Sequence, residues 1–241
     1  MSTNYIEKVL RTQASGLIAY WPLNDEQGTT AIDLSDNGYN ATSTGLVRGW
    51  NDRRMLAPDG SKCAQFDGSS SLVNVYAAQA SQPTTEGSLS IWVATPQANL
   101  EGTTKMQIVK MGVDANNYVD LTFDTTAYRF AAAYAGGGTA QTITSPLVYN
   151  ENDAFALPQW HHFVMTWSAT NDALNFYVDG SAQTAASSLG TWSGNMASTL
   201  MVVGSSSTTA ADQFTGWMAH FALWTPILTQ TEVDTLFRIG P

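Results

Sequence analysis

Residues 160–180, WHHFVMTWSATNDALNFYVDG, decide the fold class. Two runs, 162–168 (HFVMTWS) and 173–178 (ALNFYV), are dense in β-branched and aromatic residues and alternate apolar with polar positions. That is the period of a strand and not of a helix. Asn171-Asp172 separates them and Asp179-Gly180 follows the second, supplying the positive-φ positions that tight hairpins require. The stretch therefore reads as an antiparallel meander.

Working outward, the same signature recurs at residues 16–23, 63–66, 72–76, 89–94, 107–111, 118–123, 128–134, 200–204 and 216–224, between clusters of Gly, Ser, Asn, Asp and Pro. About eleven strands without a long helix fit two packed antiparallel sheets in one all-β domain, with Trp92, Phe123, Phe163, Met165 and Phe176 buried. Short helices are expected at both ends. Residues 5–11 can bury Tyr5, Ile6, Val9 and Leu10 on one side. Thr229 followed by Glu232 is a capping box that starts a helix presenting Val233, Leu236 and Phe237. The expected division is an amino-terminal arm and helix, residues 1–15, and a sandwich, residues 16–241.

Composition narrows the function. Lys plus Arg number 10 against 20 Asp plus Glu, and this net charge of -10 argues against a nucleic-acid binder, which needs clustered cations. No apolar run reaches the roughly 20 residues of a membrane span, so no membrane insertion is expected. The opening MSTNYIEKVLRTQ lacks the basic-then-apolar order of a secretory signal. A single cysteine, Cys63, excludes an internal disulfide, and no Cys/His spacing reads as zinc.

Five blocks, in order along the chain, resemble the laminin-G-like, concanavalin A-like jelly rolls. AYWPLNDEQGTTAIDLSDNGYNAT (residues 19–42) is similar to the family's opening strand and acidic loop, CAQFDGSSSLVNV (63–75) to its Phe-Asp-Gly-Ser strand pair, and SLSIWVATP (88–96) to its central Trp strand. WHHFVMTWSATNDALNFYVDG resembles its hairpin, and FTGWMAHFALWTPILTQTEVDTLF (214–237) its closing strand and helix. The resemblance implies a two-sheet antiparallel jelly-roll sandwich. The opening NYIEKVLRTQASGLIAYWPLNDEQGT and the loop LVRGWNDRRMLAPDGSKCAQFDG resemble modules of tailed-phage virion proteins. That likeness implies a non-enzymatic capsid decoration protein on the virion surface, made in the host cytoplasm, with capsid or other virion proteins as partners and a homo-oligomer, a trimer by analogy. The alternative is a lectin-like module that binds a host or environmental glycan.

Several residues carry these readings. The family's glycanases place paired acids in one groove; Glu151-Asn152-Asp153 lacks a third acidic partner and reads as a loop, so no catalytic residue is expected. His161 and His162 lie in a strand, one inward and one outward, and are read as structural. Many relatives bind calcium between the acidic loop and an acidic pair in the closing strand. Here Ala219-His220 replace that pair, leaving Asp33, Asp36 and Asn37, with Asp25, Glu26 and Ser35, either as a weakened calcium site or as a turn closed by side-chain hydrogen bonds. Trp50 and Trp192, both among loop-forming residues, either stack on a sugar, plug a protein pocket or pack on their own loops. Arg48, Arg53 and Arg54 beside Trp50, and Lys8 and Arg11 beside Tyr5, are the expected partner contacts, the second group on an arm free to reach a neighbour.

Overall fold

A computed structural model describes residues 4–25, 28–46, 56–82, 84–95, 105–146, 159–209 and 211–238. Asn4 caps helix α1 (Tyr5–Arg11) by accepting from the Ile6 N–H. The strands follow as β1 (Leu17–Trp21), β2 (Thr30–Ala31), β3 (Ala41–Thr44), β4 (Ala64–Asp67), β5 (Leu72–Asn74), β6 (Glu86–Ala94), β7 (Met106–Asp114) and β8 (Asn117–Asp124). After them come β9 (Arg129–Gly136), β10 (Thr139–Thr144), β11 (His161–Ser168), β12 (Ala173–Val178), β13 (Ser181–Ala182), β14 (Met201–Val203) and β15 (Thr215–Trp224). Helix α2 (Gln230–Phe237) closes the order, with both halves of the Thr229–Glu232 capping box formed.

The fold is mostly β: two antiparallel sheets make a sandwich, with the two short helices on one side. The seven-stranded sheet runs β1-β15-β6-β11-β12-β13, with β4 also paired to β15. The eight-stranded sheet runs β10-β9-β8-β7-β14-β5-β3-β2. Alternation sends Phe123, Phe130, Phe163, Met165 and Phe176 into the core between the sheets, all fully buried. The β11–β12 meander pairs Phe163 with Val178 and Ser168 with Ala173, and Asp172 and Asp179 adopt the expected positive φ of 48° and 51°.

A second core lies on the far side of the seven-stranded sheet. Trp92, Val164, Ala222 and Trp224 face outward there and are sealed by Tyr5 and Val9 of α1 and Val233 and Leu236 of α2. Trp92 is thus buried as expected, but under the helices and not between the sheets. The amino-terminal segment is likewise no outward-reaching arm over its described residues. The Trp92 indole N–H donates to the Tyr5 hydroxyl at 2.8 Å, the Trp224 indole to the Thr12 carbonyl at 2.8 Å, and the Lys8 ammonium to the Arg238 carbonyl at 2.8 Å.

Candidate functional site: the outer face of the eight-stranded sheet

The two sheets differ in what their outward positions carry. In β8, Val119, Leu121 and Phe123 are buried inward, which sends Tyr118, Asp120 and Thr122 outward. In β9 the inward set is Phe130, Ala132 and Tyr134, leaving Ala131, Ala133 and Ala135 outside. In the same way β3 presents Thr42 and Thr44, β5 presents Leu72 and Asn74, and β10 presents Ala140, Thr142 and Thr144.

Pairing brings eight outward residues, one per strand, into a single transverse row. Thr142 faces Ala133, Ala133 faces Asp120, Asp120 faces Lys110, Lys110 faces Val202, Val202 faces Asn74, Asn74 faces Thr42 and Thr42 faces Thr30. Directly opposed residues share a face, so the row is continuous. Its ends are exposed and its middle is recessed: Thr142, Thr42 and Thr30 are exposed, Ala133 and Asn74 half-buried, Asp120 6% and Val202 0% exposed. The row is the floor of a trough.

At the β3–β5 end the trough widens into a groove of about 510 Å³ lined by Thr42, Thr44, Ser69, Ser70, Leu72, Asn74 and Thr208. Its rim is set by the Phe-Asp-Gly-Ser turn. The Asp67 carboxylate accepts from the N–H groups of Ser69, Ser70 and Ser71 and from the Ser69 and Ser70 hydroxyls, at 2.7–2.9 Å. Burial pushes that carboxyl up, but the Ser70 and Ser69 bonds overcome it and hold Asp67 well below the usual carboxylate range. It is an ionised, fully engaged anchor for the turn.

The centre of the trough holds its only row charges. The Lys110 ammonium lies 3.0 Å from one Asp120 carboxylate oxygen and donates to the other at 3.1 Å, while standing 3.7 Å over the Tyr118 ring. Gln107, fully buried, donates from its amide nitrogen to Asp120 at 3.2 Å, and its amide oxygen has no hydrogen-bond partner. Burial pushes Asp120 above the ordinary carboxylate value, against the opposing pull of Lys110, Lys105 and Gln107. The trough therefore offers hydroxyls, amides, small side chains and one internally neutralised charge pair.

The residues singled out from sequence fall elsewhere. Arg48, Trp50, Arg53, Arg54, Glu151 and Asp153 lie outside the described residues, as does Glu26 of the acidic loop. Asp33 is buried and turned into the fold: one oxygen accepts from the Tyr20 and Ser35 N–H groups at 2.8 Å, the other from the Ser35 hydroxyl and the Tyr39 N–H at 2.7 Å. Asn37 donates to the Leu17 and Ile18 carbonyls at 3.1 and 2.9 Å, whereas Asp36 is exposed beside a cavity of about 220 Å³. Asp33 and Asn37 thus pin the loop to β1. Among the described residues, no three His, Cys, Asp or Glu side chains gather at metal-binding distance. Trp192 is 8% exposed, tilts against Tyr134 at 5.9 Å and donates to the Gly194 carbonyl, so it packs on its own loop and offers no platform. Arg11 pairs with Glu7 along the surface of α1 at 3.8 Å.

The histidines divide as alternation requires. His161 bonds Asp179 at 2.8 Å and stands near Phe130 and Phe163, while His162 is fully buried on the helix side, bonded to Ser90 at 2.8 Å and tilted against Trp92. His220, in the irregular stretch of β15, has a φ of 56°. It joins the Tyr20 hydroxyl at 2.7 Å to the Asp59 carboxylate at 3.3 Å, beneath the Tyr5 ring at 4.5 Å. Burial raises Asp59, but the His220 bond and charge and the two Ser61 bonds outweigh it and hold the carboxyl at about 2. This chain is 1% exposed at His220 and belongs to the second core.

The jelly-roll topology can now be matched to a sequence family. A family model described as the concanavalin A-like lectin/glucanases superfamily matches residues 67–234, from the Asp67 turn to α2. The chain belongs to that superfamily. No curated protein matches it in sequence. Among solved structures it is similar to the Trypanosoma rangeli sialidase in complex with sialic acid, at 14% identity and a TM-score of 0.64, over 92% of this chain and 33% of that one. It is also similar to the botulinum neurotoxin type G receptor binding domain, at 14% identity and a TM-score of 0.63, over 93% of this chain and 51% of that one. The superfamily member described here thus spans about half of the toxin domain and a third of the sialidase chain. At such identities the likeness is one of fold.

Proposed function

We propose that the chain is a non-catalytic recognition module that binds an uncharged, extended glycan along the trough of the eight-stranded sheet. The observation that carries this reading is the in-register row from Thr142 to Thr30, recessed at its centre and flanked by hydroxyl and amide groups. A polyhydroxylated chain needs many neutral hydrogen-bonding groups over a shallow surface and gains little from a strong field. An anionic glycan is disfavoured, because the single row cation is already neutralised by Asp120 and the chain carries a net charge of -10. The absence of catalysis is part of the proposal: acid–base cleavage of a glycosidic bond takes two positioned carboxyl groups, and Asp120 is the only carboxylate of the row, paired with a lysine.

A glycan array followed by calorimetry tests this. The expected result is saturable binding of neutral oligosaccharides with little dependence on salt, since screening acts on charged contacts. Silence on the array, or steady cleavage of a bound glycan, would overturn it. The setting we propose is a virion surface, supported by the likeness of residues 4–29 to modules of tailed-phage virion proteins. There the module would dock on an assembled shell and stabilise it by mass action. Retention on purified shells is the expected result, and free passage past them would remove that setting without touching the glycan reading.

A further inference from the structure

The four sheet edges are not protected alike. Strands β2 and β13 are two residues long. The outer edge of β1 is occupied: the Tyr20 N–H donates to Asp33, its carbonyl accepts from the Leu34 N–H, and the Leu17 and Ile18 carbonyls accept from Asn37. Strand β4 has four residues and ends on the charged Asp67. These are the ordinary ways of keeping an edge from pairing. Strand β10, TAQTIT, has none of them. It has six residues, no proline, no charge and no bulge, and it keeps an unbroken register with β9 from Thr139 opposite Gly136 to Thr144 opposite Ala131. Among the described residues, its backbone hydrogen-bonds to nothing but β9.

We propose that β10 is a self-association edge, pairing antiparallel with β10 of a second copy to form a two-fold dimer in which the eight-stranded sheets become continuous. Two observations point to a second copy as the occupant. A chain with a net charge of -10 meets its own like charge over most of its surface, and this edge is one place where two copies approach without it. The strand is also self-complementary. A two-fold axis normal to the sheet pairs residues of equal parity, so that outward residues face outward residues. Centred on Thr142, it sets Thr142 against its own copy, a favourable Thr–Thr pair, and Ala140 against Thr144. Backbone bonds then supply affinity and the uncharged side chains supply fit.

Sedimentation velocity at micromolar concentrations tests the proposal without reading glycan binding. The parent is expected to be a reversible dimer. Thr142→Lys, which places two ammonium groups face to face at the axis, is expected to weaken association at least tenfold, and mixing it with Thr142→Glu to restore a dimer. Ser181→Lys on β13 is expected to change nothing. Circular dichroism checks that each variant is folded, and Ala140→Lys replaces Thr142→Lys if that chain does not fold. A monomeric parent, a dimer indifferent to both lysine substitutions, or equal dissociation by Ser181→Lys would overturn the assignment.

Discussion

Outward positions of the seven-stranded sheet carry Trp92, Val164, Ala222 and Trp224, and two helices close over them; the equivalent positions of the eight-stranded sheet carry Asp120, Lys110, Thr122 and three alanines, and neither helix lies there. Strand alternation is the same on both sheets, so the difference lies in side-chain chemistry alone. Large apolar groups facing out must be covered, and α1 and α2 both serve that task. Small and polar groups facing out can meet water or a hydrophilic ligand. The sealed face is therefore expected to govern stability and the trough to govern recognition.

The largest test of that division is Leu236→Ala, which empties a fully buried site beneath α2. A loss of about 3 kcal/mol is expected in chemical denaturation, as for other buried leucines. Thr44→Ala, exposed on the trough rim, should change stability by less than about 0.5 kcal/mol. Comparable losses from the two would erase the distinction.

Acid should also act through the sealed face. Burial, with a smaller push from His220 against the pull of Asp179, holds His162 at about 3 instead of 6.5. The unfolded chain then binds a proton that the folded chain refuses, so stability is full above pH 6.5 and falls as the pH drops toward 3. The expected slope is about 1.4 kcal/mol per pH unit. Asp59 adds a separate loss only below its ordinary 3.8, as the pH falls through about 2. His162→Gln should flatten the slope between 6.5 and 3 in denaturation curves taken across pH. An unchanged slope would show that protons enter elsewhere.

On the trough, Lys110→Gln combined with Asp120→Asn removes both charges together, and stability should move by less than about 1 kcal/mol because a neutral pair replaces a buried ion pair. Glycan affinity, read by calorimetry, should fall about tenfold, or about 1.4 kcal/mol. Back on the sealed face, Thr229→Ala removes the cap of α2 and should cost about 1 kcal/mol in thermal unfolding, less than the loss at Leu236.

The sealed face was far more legible in the sequence than the trough. Helix α1 falls on the predicted residues, and the Thr229–Glu232 capping box forms as read, because both are local patterns in which the signal and the structure share a few residues. Strands β2, β3, β10 and β13 were not read, since TA, ATST, TAQTIT and SA contain one large apolar residue among them, Ile143, and become strands only by pairing with stronger neighbours. Those missing strands carry both ends of the trough row. Lys110 and Asp120 were legible in part: each is a charge at an outward position in the interior of an apolar strand, a signal that alternation could have flagged. Their pairing required the β7–β8 register, which a bulge between Gln107 and Val109 shifts. The Asp59–His220–Tyr20 chain joins residues 161 and 200 positions apart and is invisible to any local pattern.

The most direct test of recognition in the trough is a chemical-shift map by heteronuclear NMR during titration with the strongest neutral oligosaccharide from the array. The account predicts that shifts concentrate at Thr42, Thr44, Asn74, Lys110, Asp120, Ala133 and Thr142, in a band crossing the strands, while Val9, Val164, Val233 and Leu236 on the sealed face stay unmoved. Shifts that cluster on α1, α2 or the Asp33 loop and leave the row unchanged would contradict it.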